Sequence, residues 1–523
     1  MRIVQGDSID RQPTRGVAVL DCIYTNLHQY YCDPTILPSL LLSDHMVVLA
    51  EPKLAHQIPR PRPRRITKRC YPSSHKTLFA HALTTVDWST LYHLDTCQEK
   101  FQKFSNTIDS LLDGFFPLKT ITVCPTDKPW ITPRFKEHIA SRQKYLKQGN
   151  RTMYNFYRNL VGREAKSLRR KYYADEIEQL KSTEPGKWWR AVHSFLGTNS
   201  GSSSLDRLHR TMDTDIKGLA KMINDFFESV SSEMTPLQPL PDDTPRPVVP
   251  DEYLLTVDQV ERSLSTLNTR KSPGPDGIPS WILHDFSTSL AAPVCHIFNS
   301  SIIEGYVPDM WKSANVVPVP KIANPTNIKT DLRPISLTPA LSKYLENHIC
   351  QWLMASIGNK VDQNQYGNVK GRSTTHALIR LLHDWHQATD TSNGYVRALL
   401  VDFSKAFDRI DHNIIITKLR DLEVPAVLLH WIHAFLSMRK QRVKLHGVCS
   451  EWTTVNGGVP QETKLGPLLF LVMINDLTLS LPAVKYVDDT TVYQVIRKDE
   501  VDILQQQLDE LCAWCRTNKM LIN

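Results

Sequence analysis

From Tyr395 to Val401 the chain is an apolar run, YVRALLV, that stops on Asp402. Such a run predicts a buried strand. An acid at its end lies at the edge of a core, where its charge is costly unless paired or metal-bound. Further on, VKYVDDTTVYQV alternates, interrupts itself with Asp488 and Asp489, and alternates again. That pattern predicts a hairpin with both acids at its tip. Val501, Leu504, Leu508 and Leu511 follow at helical spacing. The N-terminal segments VAVLDCIYTN and LLLSDHMVVL read as short strands between turns, and the stretch from Lys128 to Lys171 is helical in composition. Residues 236–250 hold six prolines, which predict a stiff linker and a boundary near Pro250. The chain thus divides into residues 1–53, 54–250 and 251–523.

Charge sharpens this division. Residues 1–250 carry 35 Lys and Arg against 26 acids, whereas residues 251–523 carry 27 against 28, so the basic excess is N-terminal. Between Lys128 and Lys171 there are 13 Lys and Arg against only Glu137 and Glu164, interleaved with Tyr145, Tyr154, Phe156 and Tyr157 and followed directly by Tyr172 and Tyr173. Cations for a phosphate backbone and rings for stacking suit RNA or single strands. A helical hairpin with core aromatics and solvated charges is the plainer alternative. For PRPRPRRITKRC a phosphate contact and a solvated linker stand equal. No run of about 18 apolar residues and no signal segment after Met1 appear, which predicts an intracellular protein without a membrane partner. The ten cysteines are scattered, and Cys512 and Cys515 fall within a helical pattern, so they are expected as core thiols rather than metal ligands.

If the strand ending on Asp402 pairs with the hairpin carrying Asp488 and Asp489, three carboxylates converge. Hard oxygen ligands of this kind suit Mg²⁺, with Mn²⁺ as an alternative ion. Two such ions can lower the pKa of a hydroxyl nucleophile and stabilise a departing pyrophosphate. An Asp-Asp pair alone is weak evidence, because turns favour Asp for local hydrogen bonds.

ALLVDFSKAFDRIDH, GVPQETKLGPLLFLVMINDL and KYVDDTTVY resemble, in order and spacing, the central palm motifs of non-LTR retrotransposon reverse transcriptases. KSPGPDGIP, VVPVPK, DLRPISLTPALSKYLE and QYGNVKGRSTTHAL resemble the fingers segments of that family's jockey-like branch. The resemblance implies an α+β fold, with right-hand polymerase fingers and palm in residues 251–523 behind a basic helical extension. It implies an RNA-directed DNA polymerase acting on an RNA template, a DNA primer or target and deoxynucleoside triphosphates. Localisation in the nucleus and in cytoplasmic ribonucleoprotein follows from the same resemblance.

By the same resemblance Asp402, Asp488 and Asp489 bind the metals, and Phe407 excludes a ribose 2′-hydroxyl. Gln461 touches the new base pair or template, and Lys321 and Arg333 hold the triphosphate. Phe407 reads equally as a core residue and Lys321 as a turn lysine, whereas Lys271 and Asp276 read as a structural turn. LDCIYTN and LLSDHMVVL resemble the last strands of the endonuclease that precedes such polymerases, with Asp44 and His45 as its terminal pair. Residues 1–53 are therefore expected to be a remnant without nuclease activity. Two departures weigh against turnover: Glu462 stands where the family has glycine, and the thumb is expected to be missing after Asn523. The rival readings are a catalytically inactive nucleic-acid-binding fragment and, more distantly, a group II intron maturase.

Overall fold

The computed structural model describes residues 30–33, 35–37, 47–51, 53, 64–123, 127–128, 130–174, 205, 208–209, 212, 214–241, 247–390, 394–497 and 500–523. Asp44 and His45 lie outside these residues. The chain forms two compact units, one of residues 1–65 and 122–182, the other of residues 66–121 and 183–523.

In the first unit the strands Thr35–Leu37 and Val47–Leu49 pair antiparallel. Its main feature is a hairpin of the helices Pro133–Lys147 and Arg151–Tyr173. The first starts with Pro133 at its opening position and Thr132 accepting from the Phe135 amide, and the second with Asn150 accepting from the Met153 amide. Gly149, at φ +69°, makes the turn between them. Tyr145 stacks on Tyr157 at 5.5 Å, and His138 Nδ1 lies 2.6 Å from Glu164. Only Phe135 and Val161 are buried along these helices, while Arg134, Lys144, Lys147, Arg151, Arg158 and Arg163 are exposed. The tyrosines therefore brace the hairpin, and Phe156 remains 54% exposed.

The second unit gathers segments far apart in sequence. A capping box of Thr96 and Glu99 starts the helix Cys97–Phe115, whose apolar side buries Phe101, Phe104, Ile108 and Leu112. It packs on the helix Ser287–Glu304, where Lys100 Nζ donates to Ser300 Oγ at 2.8 Å and Glu304 accepts from the Cys97 amide at 2.7 Å. Phe79, Phe116, Trp281 and Phe286 form an aromatic cluster beside it.

No division between the compact units falls near Pro250. Leu237, Leu240 and Val249 pack on the main core, the Gln238 amide donates to Asn413 Oδ1, and His433 Nε2 meets the Gln238 carbonyl at 2.8 Å. Extended proline-rich backbone has no internal hydrogen bonds, so it takes side-chain partners and lies as a strap over the helices His412–Asp421 and Ala426–Leu436.

Two sheets carry the site. One runs Thr453–Val455, Arg439–Leu445, Ser313–Pro320, Leu332–Leu337, with the middle pair parallel and the others antiparallel. The other runs Ala483–Tyr486, Asp489–Ile496, Tyr395–Val401, all antiparallel. The strand Tyr395–Val401 is where expected but is not buried throughout: it is an edge strand, Leu400 is 78% exposed, and only Val401 of its residues is fully buried. Among the described residues no helix is long and apolar enough to cross a membrane. Cys515 is buried and Cys512 half-buried on the helix Leu504–Thr517, and both are free thiols.

Candidate active site

The hairpin of the three-stranded sheet turns in two residues, since Tyr486 pairs with Asp489. Val487 occupies the turn at φ +57°. A β-branched side chain there is strained, by about 1–3 kcal/mol. Asp488 follows in the turn and Asp489 opens the next strand. Because Thr490 pairs with Val401, the register brings Asp402 to the same end of the sheet.

Burial first, then the negative charges of Asp489 and Asp402, raise the Asp488 carboxyl above its ordinary range, against a backbone hydrogen bond that lowers it. Asp402 accepts from Asn523 Nδ2 at 3.0 Å, and the segment Leu521–Asn523 runs antiparallel to it, with the Asn523 amide donating to the Asp402 carbonyl at 2.9 Å. Among the described residues no group of three or more His, Cys, Asp or Glu is gathered closely enough to enclose a metal by itself. Neighbouring carboxylates that raise one another's affinity for positive charge nevertheless fit a hard cation that keeps waters and takes its remaining ligands from phosphate.

Asp402 and Asp488 face a cleft of about 900 Å³. Arg333 and Lys321 line it from the Ser313–Pro320/Leu332–Leu337 pair, where Val319 lies opposite Arg333. Both side chains are exposed, and among the described residues neither has an ion-pair partner within 4 Å. Phe407 lines the cleft too, stacked on Phe470 at 4.9 Å and packed against the core. Asp489 is exposed and does not line the cleft, but its charge is felt by Asp488.

Gln461 belongs to a tightly held loop. Gly458, at φ +76°, lies so close to Asp408 that a Cβ would fall 2.7 Å from its carbonyl oxygen. His412, kept neutral because burial lowers its pKa to about 4, donates through Nε2 to the Gly458 carbonyl at 2.7 Å. The Ser336 amide donates to the Gln461 carbonyl at 3.3 Å, tying this loop to the Arg333 strand. Buried Glu346 accepts from the Lys464 and Leu465 amides, at 2.8 and 3.3 Å, and so caps the helix Leu465–Ile474. Glu462 is exposed in the cleft wall at φ +71°. Its backbone lies in the left-handed region that favours glycine.

Several cleft residues escaped the sequence reading. Asp408 accepts from Gln461 Nε2 at 3.1 Å; burial pushes it up to about 6, against the opposing pull of Gln461, Lys405 and Lys321. Lys405 lies 4.1 Å over the Phe226 ring, and burial with the charges of Lys321, Arg409 and Lys329 lowers its pKa. Arg439 is 3% exposed, stacks on Phe435 at 4.4 Å, and carries a buried Nη2 without a hydrogen-bond partner among the described residues. Phe226 and Phe227 reach the cleft from the helix Ile216–Ser229. Its spacing of Leu219, Ala220, Ile223 and Phe227 was the available signal, because an amphipathic helix needs a partner.

Residues 319–523 match the model of the reverse transcriptase (RNA-dependent DNA polymerase) family. The chain is 22% identical over 92% of its length to a probable RNA-directed DNA polymerase from transposon BS of Drosophila melanogaster, covering 56% of that protein. It is 27% identical over 57% of its length to the RNA-directed DNA polymerase from mobile element jockey of the same fly, covering 35% of that protein. To the Pol polyprotein of the type-1 retrotransposable element R1 of Bradysia coprophila it is 29% identical over 52% of its length, covering 27%. The chain thus spans between about a quarter and just over half the length of these relatives. An acid-bearing hairpin turn facing a cation-lined cleft lies inside the matched residues, and over those residues the chain is similar to the reverse transcriptases of jockey-type, non-LTR mobile elements.

Proposed function

We propose that this chain performs template-directed nucleotidyl transfer, copying an RNA template from a DNA primer with deoxynucleoside triphosphates. The observation that carries the reading is that one cleft is lined both by the carboxylates Asp402 and Asp488 and by the cations Arg333, Lys321, Lys405 and Arg439. Divalent metal, as Mg²⁺ or Mn²⁺ held by Asp402 and Asp488 with Asp489 alongside, would activate the primer hydroxyl and offset the charge of the departing pyrophosphate. The Arg333 fork and the Lys321 ammonium would hold the triphosphate. Phe407, braced by Phe470, sets a floor where a ribose 2′-hydroxyl would collide. Gln461, its amide held by Asp408, is ready for a base edge.

The exposed cations of the helical hairpin in residues 133–173 support a second contact with the nucleic-acid backbone. Neutralising six phosphates there would give a salt slope of about −4 to −5 for log affinity against log salt. The rival reading, a nucleic-acid-binding fragment without turnover, is favoured by Glu462, whose negative charge sits in the cleft wall. Primer extension on an RNA template with Mg²⁺, beside the Asp488→Ala/Asp489→Ala chain, decides between them. Extension by the parent alone supports the polymerase, and RNA binding without extension supports the fragment.

A further inference from the structure

The turn that carries Asp488 is held from outside its own sheet. Residues 364–367 run beside Lys485, with the Lys485 amide donating to the Asn364 carbonyl and the Tyr366 amide to the Lys485 carbonyl, both at 2.8 Å. Within that segment Gln365 is 2% exposed. Its Oε1 accepts from the Val487 amide at 3.0 Å and from the Gly367 amide at 2.7 Å, and its Nε2 donates to the Val487 carbonyl at 3.3 Å. The amide orientation follows from these partners, since the opposite flip would set Nε2 against two N–H groups.

Gln365 therefore grips both peptides that flank Val487. The N–H direction follows rotation about N–Cα, and the C=O direction follows rotation about Cα–C. Holding both fixes the one residue of the turn whose φ is unfavourable. Gly367 closes the arrangement, because a Cβ there would lie 2.4 Å from the Val487 nitrogen. Arg372 braces the clamp from behind, its Nη1 donating to the carbonyls of Gln363 at 2.9 Å and Gln365 at 2.6 Å.

We propose that Gln365 is a positioning residue for the metal site: its side-chain amide locks the strained Val487 peptide and so sets the direction in which the Asp488 carboxylate leaves the turn. Only the purpose of that carboxylate rests on the polymerase reading; the clamp rests on geometry. Glutamine suits the task because it supplies an acceptor and a donor at one reach. Glutamate would supply acceptors alone, with a buried charge beside Asp488, and methionine would fill the space with no hydrogen bond.

The test uses the whole chain and its Gln365→Met, Val487→Gly and doubly substituted forms, with Gln365→Asn as a milder variant that keeps the buried amide but shortens its reach. Hydrogen exchange at the Val487 amide, Mn²⁺ binding without substrate, and primer extension are read on each. For Gln365→Met the expected results are Val487 exchange about tenfold faster and Mn²⁺ affinity about tenfold weaker. kcat falls with them while KM for primer–template stays unchanged, and Gln365→Asn moves the same way by less. Val487→Gly removes the need for a clamp, so the double form recovers most of the Mn²⁺ affinity lost by Gln365→Met. Parent-like exchange and Mn²⁺ affinity in both Gln365 variants, or a double form no better than Gln365→Met, overturns the clamp. A parent that binds Mn²⁺ but never extends a primer overturns the polymerase reading instead, and the exchange and Mn²⁺ results still judge the clamp.

Discussion

The two sides of the cleft are built by different means. The acid side hangs on a two-residue turn held by one buried side-chain amide, whereas the side carrying Arg333 and Gln461 rests on a backbone ladder, a helix cap and a glycine. Each side places a non-glycine residue at positive φ, Val487 on one and Glu462 on the other. Val487 has Gln365 on both flanking peptides. For Glu462 the comparable ties run to its neighbours, through the Gln461 carbonyl and the Thr463 amide. Both strained residues are thus held through their flanking peptides, Val487 by a side-chain amide and Glu462 by backbone contacts, and only Glu462 adds a charge.

The contrast can be broken most forcefully at Asp488. Asp488→Asn keeps the shape of the turn and removes the charge, and primer extension is expected to fall by about three powers of ten, the several kcal/mol a metal contributes to charge stabilisation. An active Asp488→Asn chain would show that the acid side is not where the chemistry happens. Arg333→Ala should act differently, raising KM for the nucleotide about tenfold to a hundredfold as a charge-assisted contact is lost. Primer–template affinity, measured by titration, should hardly move.

Asp408 sits between the two sides, and its effect on stability has a definite sign. Its folded pKa, about 6, lies above the ordinary 3.8, so the fold binds this proton more tightly than the unfolded chain does. The stabilisation is complete below about pH 4 and is lost as pH rises through 6. Asp408→Asn is therefore expected to stabilise the protein at pH 8 by up to about 3 kcal/mol in denaturant melts, and to flatten the pH dependence between 4 and 6. The smallest effect belongs to Glu462→Gly, expected to gain about 1 kcal/mol of stability by relieving the positive φ and to tighten nucleotide binding. Unchanged stability and nucleotide affinity would mean that the loop already accommodates glutamate.

Motif order made the cleft's lining legible: Asp402, Asp488, Phe407, Gln461, Arg333 and Lys321 all reach it from segments singled out in the sequence. What periodicity could not reveal was which distant segments meet. Phe226 lies over a hundred residues before Lys405, and nothing local to either announces the contact. The strand before Asp402 looked fully buried because an apolar run does not tell a central strand from an edge. Nor does composition hint at φ +57° for Val487, since a β-branched residue is the last that backbone preference would put there. At 462 the family pattern has glycine, and the φ of +71° found there is backbone geometry that suits glycine.

The strap of residues 236–241 and the aromatic packing behind it bear on how this protein can be handled at the bench. Trp281 is enclosed by Tyr71, Phe79 and Phe116, and Trp311 by Phe101, all supplied from residues 66–121. An expression fragment started at Pro250 would leave both indoles facing water and remove the strap from His433. Exposed aromatic surface of that size promotes aggregation, so the cleft is best recovered from a fragment that begins before Ile66.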